Sequence, residues 1–227
     1  MYVEPIKHNQ QMKKAALFLS IALLTIMILS SSCNSSNESS AASNEVTIGT
    51  QVWMSENLKV DKFRNGDPIP YVEMTEEWNK AGRNRQPAWC YYENDPKNGE
   101  KYGKLYNWYA VNDPRGLAPV GYHIASDGEW SALTEHLGHD AGTKMKSTDE
   151  WEENGNGNNS SGFSGFPGGA RYASGPFNFI GGRGYWWCST EYYAASAWSR
   201  GLGYRNGNVF RGSNDKAYGL SVRCLKD

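Results

Sequence analysis

The sequence predicts an α+β domain with one or two helices, short twisted antiparallel strands and long loops. Aromatic residues make up 13% of the chain, and 25 of its 227 residues are glycine. These residue types are typical of folds in which aromatic side chains fill the space between short strands joined by turns. One clear helical pattern precedes a series of short aromatic segments, so we expect a β-rich C-terminal half.

The N-terminus has the pattern of an export signal. Met12-Lys13-Lys14 supplies positive charge, and the apolar run from Ala15 to Leu29 is shorter than the roughly 20 residues of a membrane-spanning helix. Small residues then precede Cys33, as in a bacterial lipobox. We therefore expect residues 1–33 to be a signal peptide with a lipobox, and Cys33 to be the lipid attachment site. An ordinary signal peptide with an incidental cysteine is the alternative.

The sequence around this signal suggests its start and its continuation. Residues 1–11 place Glu4 and a proline ahead of the charged region, so we expect translation to begin at Met12. Residues 34–45 are rich in serine and asparagine and predict a flexible tether to a domain over residues 46–227. We expect an envelope protein held by acyl chains such as palmitate in the outer membrane, on its periplasmic or its outer face.

The first half of the domain contains one strong helical signal. Ser126-Asp127-Gly128-Glu129 matches a capping box, apolar residues follow at helical spacing, and Gly138 stops the pattern, which predicts a helix over 127–137. Residues 46–58 predict a hairpin or short strands, and residues 88–92 predict a strand. Residues 64–100 are otherwise rich in turn residues, and the segment 104–111 suits either a strand or a helix.

The second half predicts a loop over residues 154–165 and then a run of strands. Turn residues separate the strands, and Asn206-Gly207 is a hairpin signal. A further turn is expected over residues 211–214. The expected strands are Gly168–Tyr172, Phe177–Ile180, Tyr185–Ser189, Ala197–Tyr204, Asn208–Arg211 and Tyr218–Leu225.

Three cysteines lie beyond Cys33, and they allow one disulfide bridge with one thiol left over. They are Cys90, Cys188 and Cys224, and their spacing does not select a pair. A catalytic thiol at Cys188 would need a cationic neighbour, and none is adjacent in the sequence. A buried or bridged cysteine on a strand is the favoured interpretation.

Six segments of the domain resemble the Fibrobacter succinogenes major paralogous domain family of exported proteins. The resemblance covers nearly everything from Val46 to the end of the chain. The segments are IGTQVWMSENL at 48–58, YGKLYNW at 102–108, GYHIASDGEW at 121–130, PGG at 167–169, YWWCSTE at 185–191 and SVRC at 221–224.

The resemblance implies a fold and a location more than an activity. The family is similar to the C-type-lectin-like fold of the formylglycine-generating-enzyme type, and it has no settled biochemical activity. Relatives often carry serine at the position of Cys188 and cysteine at the position of Ala118. The resemblance therefore implies a Cys90–Cys224 disulfide, with Cys188 as the alternative partner of Cys224. The cysteine pair of the formylglycine-generating oxidases has no counterpart that could be mapped here.

No pattern in the sequence predicts a catalytic or a metal site. His136 and His139 flank the expected helix end and need not share a face, and a structural role is favoured for His123. Glu152 and Glu153 are adjacent carboxylates on a polar segment, typical of a solvated surface. Residues 162–166 lack the last glycine of a nucleophile elbow. We expect no enzyme, with an uncharacterised hydrolase or oxidase as the alternative.

The C-terminal third carries the expected binding face, since lectin-like folds bind ligands in this region. Aromatic rings beside arginine, asparagine and serine suit sugar rings. The resemblance and these residues together predict a non-catalytic module for a glycan or a protein; a structural or adhesion component of the envelope is the alternative. We expect no cofactor and no metal except calcium near Asn94 and Asp95, and no nucleic-acid partner, since the net charge is −1. The expected ligand-binding residues are Ser199, Arg205, Asn206, Asn208, Phe210, Ser213 and Asn214.

Overall fold

A computed structural model describes residues 44–227 and shows a mixed α+β arrangement. The predicted signal, Cys33 and residues 34–43 of the predicted tether lie outside the described residues. Five helices lie within residues 44–227: α1 (Thr75–Arg83), α2 (Pro96–Tyr102), α3 (Trp108–Val111), α4 (Asp127–Leu137) and α5 (Ala141–Met145). The strands of the same region are β1 (Glu45–Ile48), β2 (Gln51–Met54), β3 (Trp89–Cys90), β4 (Leu105–Tyr106), β5 (Tyr122–Ile124), β6 (Gly168–Arg171), β7 (Phe177–Ile180), β8 (Arg183–Tyr193), β9 (Ser196–Gly203), β10 (Phe210–Asp215) and β11 (Cys224–Lys226).

The strands form three sheets. One has the order β1-β2-β11-β5, so the first and last strands of the described region share a sheet. A second has the order β10-β9-β8-β6-β7, and its pairs are antiparallel except for the parallel pair of β6 with β8. The third contains only β3 and β4. The five-stranded sheet carries the candidate site.

The prediction of helix α4 is confirmed at both ends. The Ser126 hydroxyl accepts a hydrogen bond from the backbone N–H of Glu129 at 3.3 Å, and the Glu129 carboxylate accepts one from the backbone N–H of Ser126 at 2.7 Å. Gly138 follows the last turn with φ +66°. These contacts lie within one helical turn, which is why the sequence alone predicts them.

The prediction of one or two helices is wrong, because five are present in residues 44–227. Helix α2 lies where turns were expected. The Asp95 carboxylate caps it by accepting from the backbone N–H of Lys97 at 2.9 Å, and Pro96 occupies its first turn. Gly99 lies inside this helix, and a Cβ atom there would come 2.1 Å from the Tyr91 ring. Turn residues therefore cap and pack a short helix in this segment.

The expected hairpins and strands of the N-terminal half are confirmed. Strands β1 and β2 form a hairpin around Gly49-Thr50, and β3 lies within the predicted segment 88–92. The ambiguous segment 104–111 contains both elements, strand β4 followed by helix α3. Asn107 separates them, and its side chain caps the helix by accepting from the backbone N–H of Ala110 at 3.0 Å.

The C-terminal strands form in the predicted order but with different ends. Strand β8 continues to Tyr193, and β10 covers residues 211–214, where a turn was expected, because Arg211 to Asp215 pair with β9. Strand β11 is shorter than the predicted strand over 218–225. Residues 219–221 instead form single bridges to Arg171, Tyr106 and Trp186. This segment therefore crosses the core between elements and does not extend one sheet.

The hairpin predicted from Asn206-Gly207 is present, but its connection is a loop over residues 204–209. The Gly207 carbonyl accepts from the backbone N–H of Gly142 at 2.7 Å, and the Asn206 carbonyl accepts from Lys146 Nζ at 3.2 Å. The loop is longer than a two-residue turn because its carbonyl groups satisfy donors of helix α5 and of the residue that follows it.

Tryptophan side chains dominate the core. The Trp53 and Trp130 ring centroids are 4.8 Å apart, and Phe163 packs against the Trp130 ring at 5.6 Å. The five fully buried tryptophans are Trp53, Trp78, Trp130, Trp186 and Trp187. No helix within residues 44–227 combines the length and the apolar composition that a membrane-spanning helix requires.

Candidate functional site

The register of β8, β9 and β10 separates two faces of the five-stranded sheet. Tyr185 and Phe210 both pair with Gly201, so these three residues share one face. Arg200 pairs with Trp186 and Arg211, which places that set on the opposite face. The candidate site lies on the first of these faces.

A cleft of about 250 Å³ opens on this face. Its lining residues come from β6, β7, β8 and β10 and from the segments next to them. They are Ala170, Tyr172, Phe179, Arg183, Tyr185, Asn214, Tyr218 and Leu220. We call this cavity the aromatic cleft.

Four aromatic rings form the walls of the aromatic cleft. The Tyr172 ring centroid lies 5.1 Å from that of Tyr218 and 6.1 Å from that of Phe179. The Phe179 centroid is 6.1 Å from that of Tyr185. Phe179 remains 39% exposed although it is a large apolar side chain. The cleft thus offers open ring faces and hydroxyl groups together, which an apolar core would not.

The backbone at the edge of the aromatic cleft adopts an uncommon conformation. Phe179 has φ +74°, in the left-handed region that bulky residues rarely occupy. The Phe179 carbonyl accepts from the backbone N–H of Gly182 at 3.0 Å, and Gly181 also has a positive φ. This tight turn joins β7 to β8 and places Arg183 directly beside the Phe179 ring. Conformations of this kind cost about 1–3 kcal/mol and cluster at functional sites.

The polar groups of the aromatic cleft are Arg183 and Asn214. One Arg183 Nη atom donates to the Tyr185 hydroxyl at 3.0 Å, and the guanidinium lies 5.1 Å from the Phe179 centroid. Asn214 Nδ2 donates to the Ser199 hydroxyl at 2.8 Å. Both side chains are therefore held in place by neighbours and still line the cavity.

A smaller cavity of about 110 Å³ adjoins the aromatic cleft and shares Arg183 with it. Gly203, Tyr204, Arg205, Asn206 and Phe210 complete its lining. The Arg205 guanidinium lies 4.9 Å from the Tyr204 ring centroid, and Arg205 Nη2 is 3.3 Å from Glu153 Oε1. Arg183 therefore stands between two cavities along one face of the domain.

The structure places four of the seven predicted binding residues at these cavities. Asn214 lines the aromatic cleft, and Arg205, Asn206 and Phe210 line the smaller cavity. Ser199 was expected to face outward, and this is wrong, because it is only 3% exposed and supports Asn214 from below.

The other two predicted residues line neither cavity. Ser213 pairs with Trp198 and belongs to the opposite face of the sheet. Asn208 is exposed in the loop that contacts α5.

Sequence analysis missed most of the aromatic cleft. Tyr172, Phe179, Arg183 and Tyr218 lie outside the predicted residues, because only the sheet order brings β6 and β7 beside β8. A usable signal exists in Phe177-Asn178-Phe179, where aromatic residues alternate just before Gly181-Gly182. Alternate residues of a strand face opposite ways, so one of the two phenylalanines could have been assigned to the open face by its glycine-rich neighbourhood.

The expected disulfides are absent. Cys90, Cys188 and Cys224 are free, buried thiols, so neither the Cys90–Cys224 bridge nor the Cys188–Cys224 alternative forms. Each thiol belongs to a different cluster of the hydrophobic core, which accounts for the lack of a pair. Burial raises the pKa of each thiol to about 12. A thiol in this environment is a poor nucleophile near neutral pH.

The remaining polar candidates serve the fold. His123 lies between Glu129 and Asp227, with both contacts at 2.8 Å. Asn94 Nδ2 donates to the Glu73 carbonyl at 3.2 Å, and Asp95 caps α2, so these side chains are used within the protein. Within the described residues no group of three or more histidine, cysteine or carboxylate side chains could hold a metal ion.

The histidines and glutamates considered as sites are separate and exposed. His136 lies in the last turn of α4, whereas His139 follows the helix with its Nδ1 2.7 Å from the Asp140 carboxylate. Glu152 and Glu153 are also exposed, and Glu153 contacts Arg205. Their positions bring no acid and base together around a cavity.

Comparison with known proteins identifies the domain family. No curated protein and no solved structure shows significant similarity to the chain. The family model described as Fibrobacter succinogenes major domain matches residues 46–226, which include nearly every residue described above. The chain therefore belongs to the Fibrobacter succinogenes major domain family.

Proposed function

We propose that the protein is an exported lipoprotein whose domain binds glycans without catalysis, in a C-type-lectin-like fold. The aromatic cleft is the observation that carries this proposal. Its cavity of about 250 Å³ has room for a sugar ring, and Phe179 and the three tyrosines provide ring faces for the apolar side of that sugar. Arg183 and Asn214 provide hydrogen-bonding groups for its hydroxyls.

The glycan proposal is tested with Phe179→Ala in the full chain. The ring is partly exposed and packs mainly against other cleft residues, so its removal should weaken binding more than it weakens folding. Binding to a panel of plant and bacterial polysaccharides is measured for the wild-type protein and the variant. We expect at least a tenfold loss of affinity, equivalent to about 1.4 kcal/mol.

Tyr193→Ala is the matched control for Phe179→Ala. Tyr193 is an aromatic residue, 66% exposed, on the same sheet but outside the aromatic cleft. It should leave glycan affinity unchanged. Absence of binding by the wild-type protein across the whole panel would reject the glycan proposal, and equal losses in both variants would place the site elsewhere.

The lipid anchor is proposed from the sequence pattern around Cys33. Acyl chains contribute about 0.8 kcal/mol of membrane affinity per buried methylene group, so two or three chains would hold the protein firmly. Metabolic labelling with palmitate followed by mass spectrometry of the N-terminal peptide tests the anchor. Label on the wild-type protein and none on Cys33→Ser is expected. An unlabelled protein cleaved at another residue would show an ordinary signal peptide.

A structural or adhesion role in the envelope is the second candidate, and one surface favours it. The Tyr192 ring centroid lies 4.2 Å from that of Tyr193 and 4.3 Å from that of Trp198, and the Arg211 guanidinium lies 3.5 Å from the Trp198 centroid. This exposed strip lies outside the aromatic cleft. Aromatic and arginine side chains are enriched at protein interfaces.

The adhesion candidate predicts self-association through the strip. Sedimentation of the full chain should show a concentration-dependent dimer that Tyr192→Ser/Tyr193→Ser removes. A monomer at all concentrations, together with glycan binding, would leave the glycan proposal alone.

A further inference from the structure

The two adjoining cavities carry positive charge and no negative charge in their walls. Arg183 and Arg205 are the charged residues among the lining side chains, and no aspartate or glutamate is present in either lining. Arg205 is partly neutralised by Glu153, 3.3 Å away at the exposed rim. Arg183, which both cavities share, has no carboxylate partner within the described residues.

Arg183 also keeps most of its hydrogen-bonding capacity. A guanidinium has five N–H donors in a planar fork. The single hydrogen bond of this side chain among residues 44–227 goes from Nη1 to the Tyr185 hydroxyl. That bond and the contact with the Phe179 ring hold the group in place, while the other donors remain available to a ligand.

The opposite end of the aromatic cleft has a different charge. Tyr218 follows a turn at Asp215, whose carboxylate accepts a hydrogen bond from the backbone N–H of Ala217 at 2.8 Å. Burial, together with the nearby charges of Tyr172 and Asp215, raises the pKa of Tyr218. A negative group on a ligand would therefore be repelled at the Tyr218 end and attracted at the Arg183 end.

From this asymmetry we infer that the ligand is an acidic glycan whose sugar carboxylate binds Arg183. This inference rests on the proposed glycan-binding function and names its substrate class. A uronic acid ring stacks on Phe179 and Tyr185 while its carboxylate accepts from the guanidinium fork, a pairing that arginine geometry favours. The next sugar along the chain then enters the smaller cavity beside Tyr204 and Phe210.

Matched probes separate the charge from the sugar ring. Oligomers of galacturonic, glucuronic and mannuronic acid are each compared with their methyl esters, which keep the ring and remove the charge. For the full chain, we expect at least one acidic oligomer to bind at least tenfold more tightly than its own ester. We also expect this preference to shrink as salt concentration rises, because ions screen charge–charge attraction.

Three variants locate the effect. Arg183→Gln should remove the preference for the acidic oligomer and leave affinity for the ester within twofold. Arg183→Lys should retain part of the preference, because lysine keeps the charge but lacks the fork. Lys97→Gln, an exposed charge on α2, should change nothing and controls for the change in net charge.

The outcomes distinguish this inference from the function on which it rests. Equal binding of acids and esters, or tighter binding of neutral oligosaccharides, overturns the acidic-glycan inference and leaves glycan binding intact. The same holds if Arg183→Gln weakens acid and ester equally. If the wild-type protein binds neither these probes nor any neutral polysaccharide, both the inference and the proposed function fail.

Discussion

Three buried arginines act as cross-links between distant segments of this protein. Arg171, Arg200 and Arg223 are 0%, 2% and 1% exposed. Arg171 donates to the Val72 and Glu73 carbonyls, both at 2.7 Å. Such groups are stable in the core only because their donors are satisfied, so the loss of one leaves several carbonyl oxygens without a partner.

Replacing Arg223 with methionine should destabilise the protein by on the order of 3 kcal/mol or more. Arg223 donates to the Phe163 carbonyl at 2.6 Å, the Met54 carbonyl at 3.0 Å and Asn57 Oδ1 at 2.9 Å, and all three acceptors would be left unpaired. Urea unfolding measures the change. The control is Lys226→Met, a half-exposed ion pair with Glu45 that should contribute less than about 1 kcal/mol. Equal effects of the two variants would contradict the prediction.

His123 should give the protein a pH-dependent contribution to stability. Burial opposes its charged form, but hydrogen bonds to Asp227 and Glu129 outweigh burial and raise its pKa above the ordinary value of 6.5. A raised pKa in the folded state means that the stabilisation is fully present below the unfolded-state pKa and is lost as pH rises through the folded-state pKa.

The test for His123 compares His123→Asn with the wild-type protein at pH 5.5 and pH 9. Since the ring is 40% exposed, we expect a loss of at most about 1 kcal/mol at pH 5.5 and a smaller loss at pH 9. His139→Asn, which removes a 93% exposed imidazole, is the control. A loss that grows with pH would show that the carboxylates do not hold the protonated ring.

At the scale of elements, close backbone contacts determine where helices and loops meet. Helix α5 has only five residues, and isolated helices of this length are unstable in water. Its N-terminal N–H groups donate to the Gly207 carbonyl in the loop over 204–209. The loop and the helix therefore stabilise each other, and Gly142 permits their close approach.

Two glycine-to-alanine variants test this contact. A Cβ atom at Gly142 would lie 2.6 Å from the Asn208 carbonyl oxygen, so Gly142→Ala should cost about 1–3 kcal/mol and make the loop easier to cleave with protease. Gly128 in α4 has space for a Cβ, and Gly128→Ala should be neutral or stabilise by about 0.5–1 kcal/mol. Thermal unfolding of both variants gives the comparison. A stable Gly142→Ala variant would show that the loop moves freely.

At the scale of the whole molecule, the core is divided into three clusters with one cysteine in each. Cys224 packs in the cluster around Trp187, Cys188 in the cluster around Trp130, and Cys90 in the cluster around Trp78. Stability outside the cytoplasm commonly comes from disulfides. In the described part of this chain it comes instead from the packing of tryptophan and from buried hydrogen-bonded cations.

The three core thiols should resist alkylation until the protein unfolds. Mass spectrometry of peptides from the full chain, treated with iodoacetamide at pH 8 without reductant, measures this. We expect Cys90, Cys188 and Cys224 to be unmodified in the folded protein and fully modified in guanidinium chloride. Modification of any two only after reduction would show that a disulfide does form.

Local sequence alone determined the elements whose contacts lie within a few residues. The capping box of α4, the hairpin at Gly49-Thr50 and strand β7 are of this kind. The residues of the six recognisable segments also determined the family, which the match over residues 46–226 shows. The signal pattern at Cys33 is equally local, and it remains a prediction.

Tertiary structure decided the cleft, the free thiols and the buried arginines. Asn214 and the residues of the smaller cavity could be chosen from their own segment, but Phe179 and Arg183 could not. The sheet order β10-β9-β8-β6-β7 joins residues far apart in the sequence, and every strand of this aromatic-rich region offers similar side chains for pairing. The same holds for the cysteines, since the core cluster to which each thiol belongs depends on how the sheets pack. Contacts of this range depend on the free energy of the whole core, which no local pattern contains.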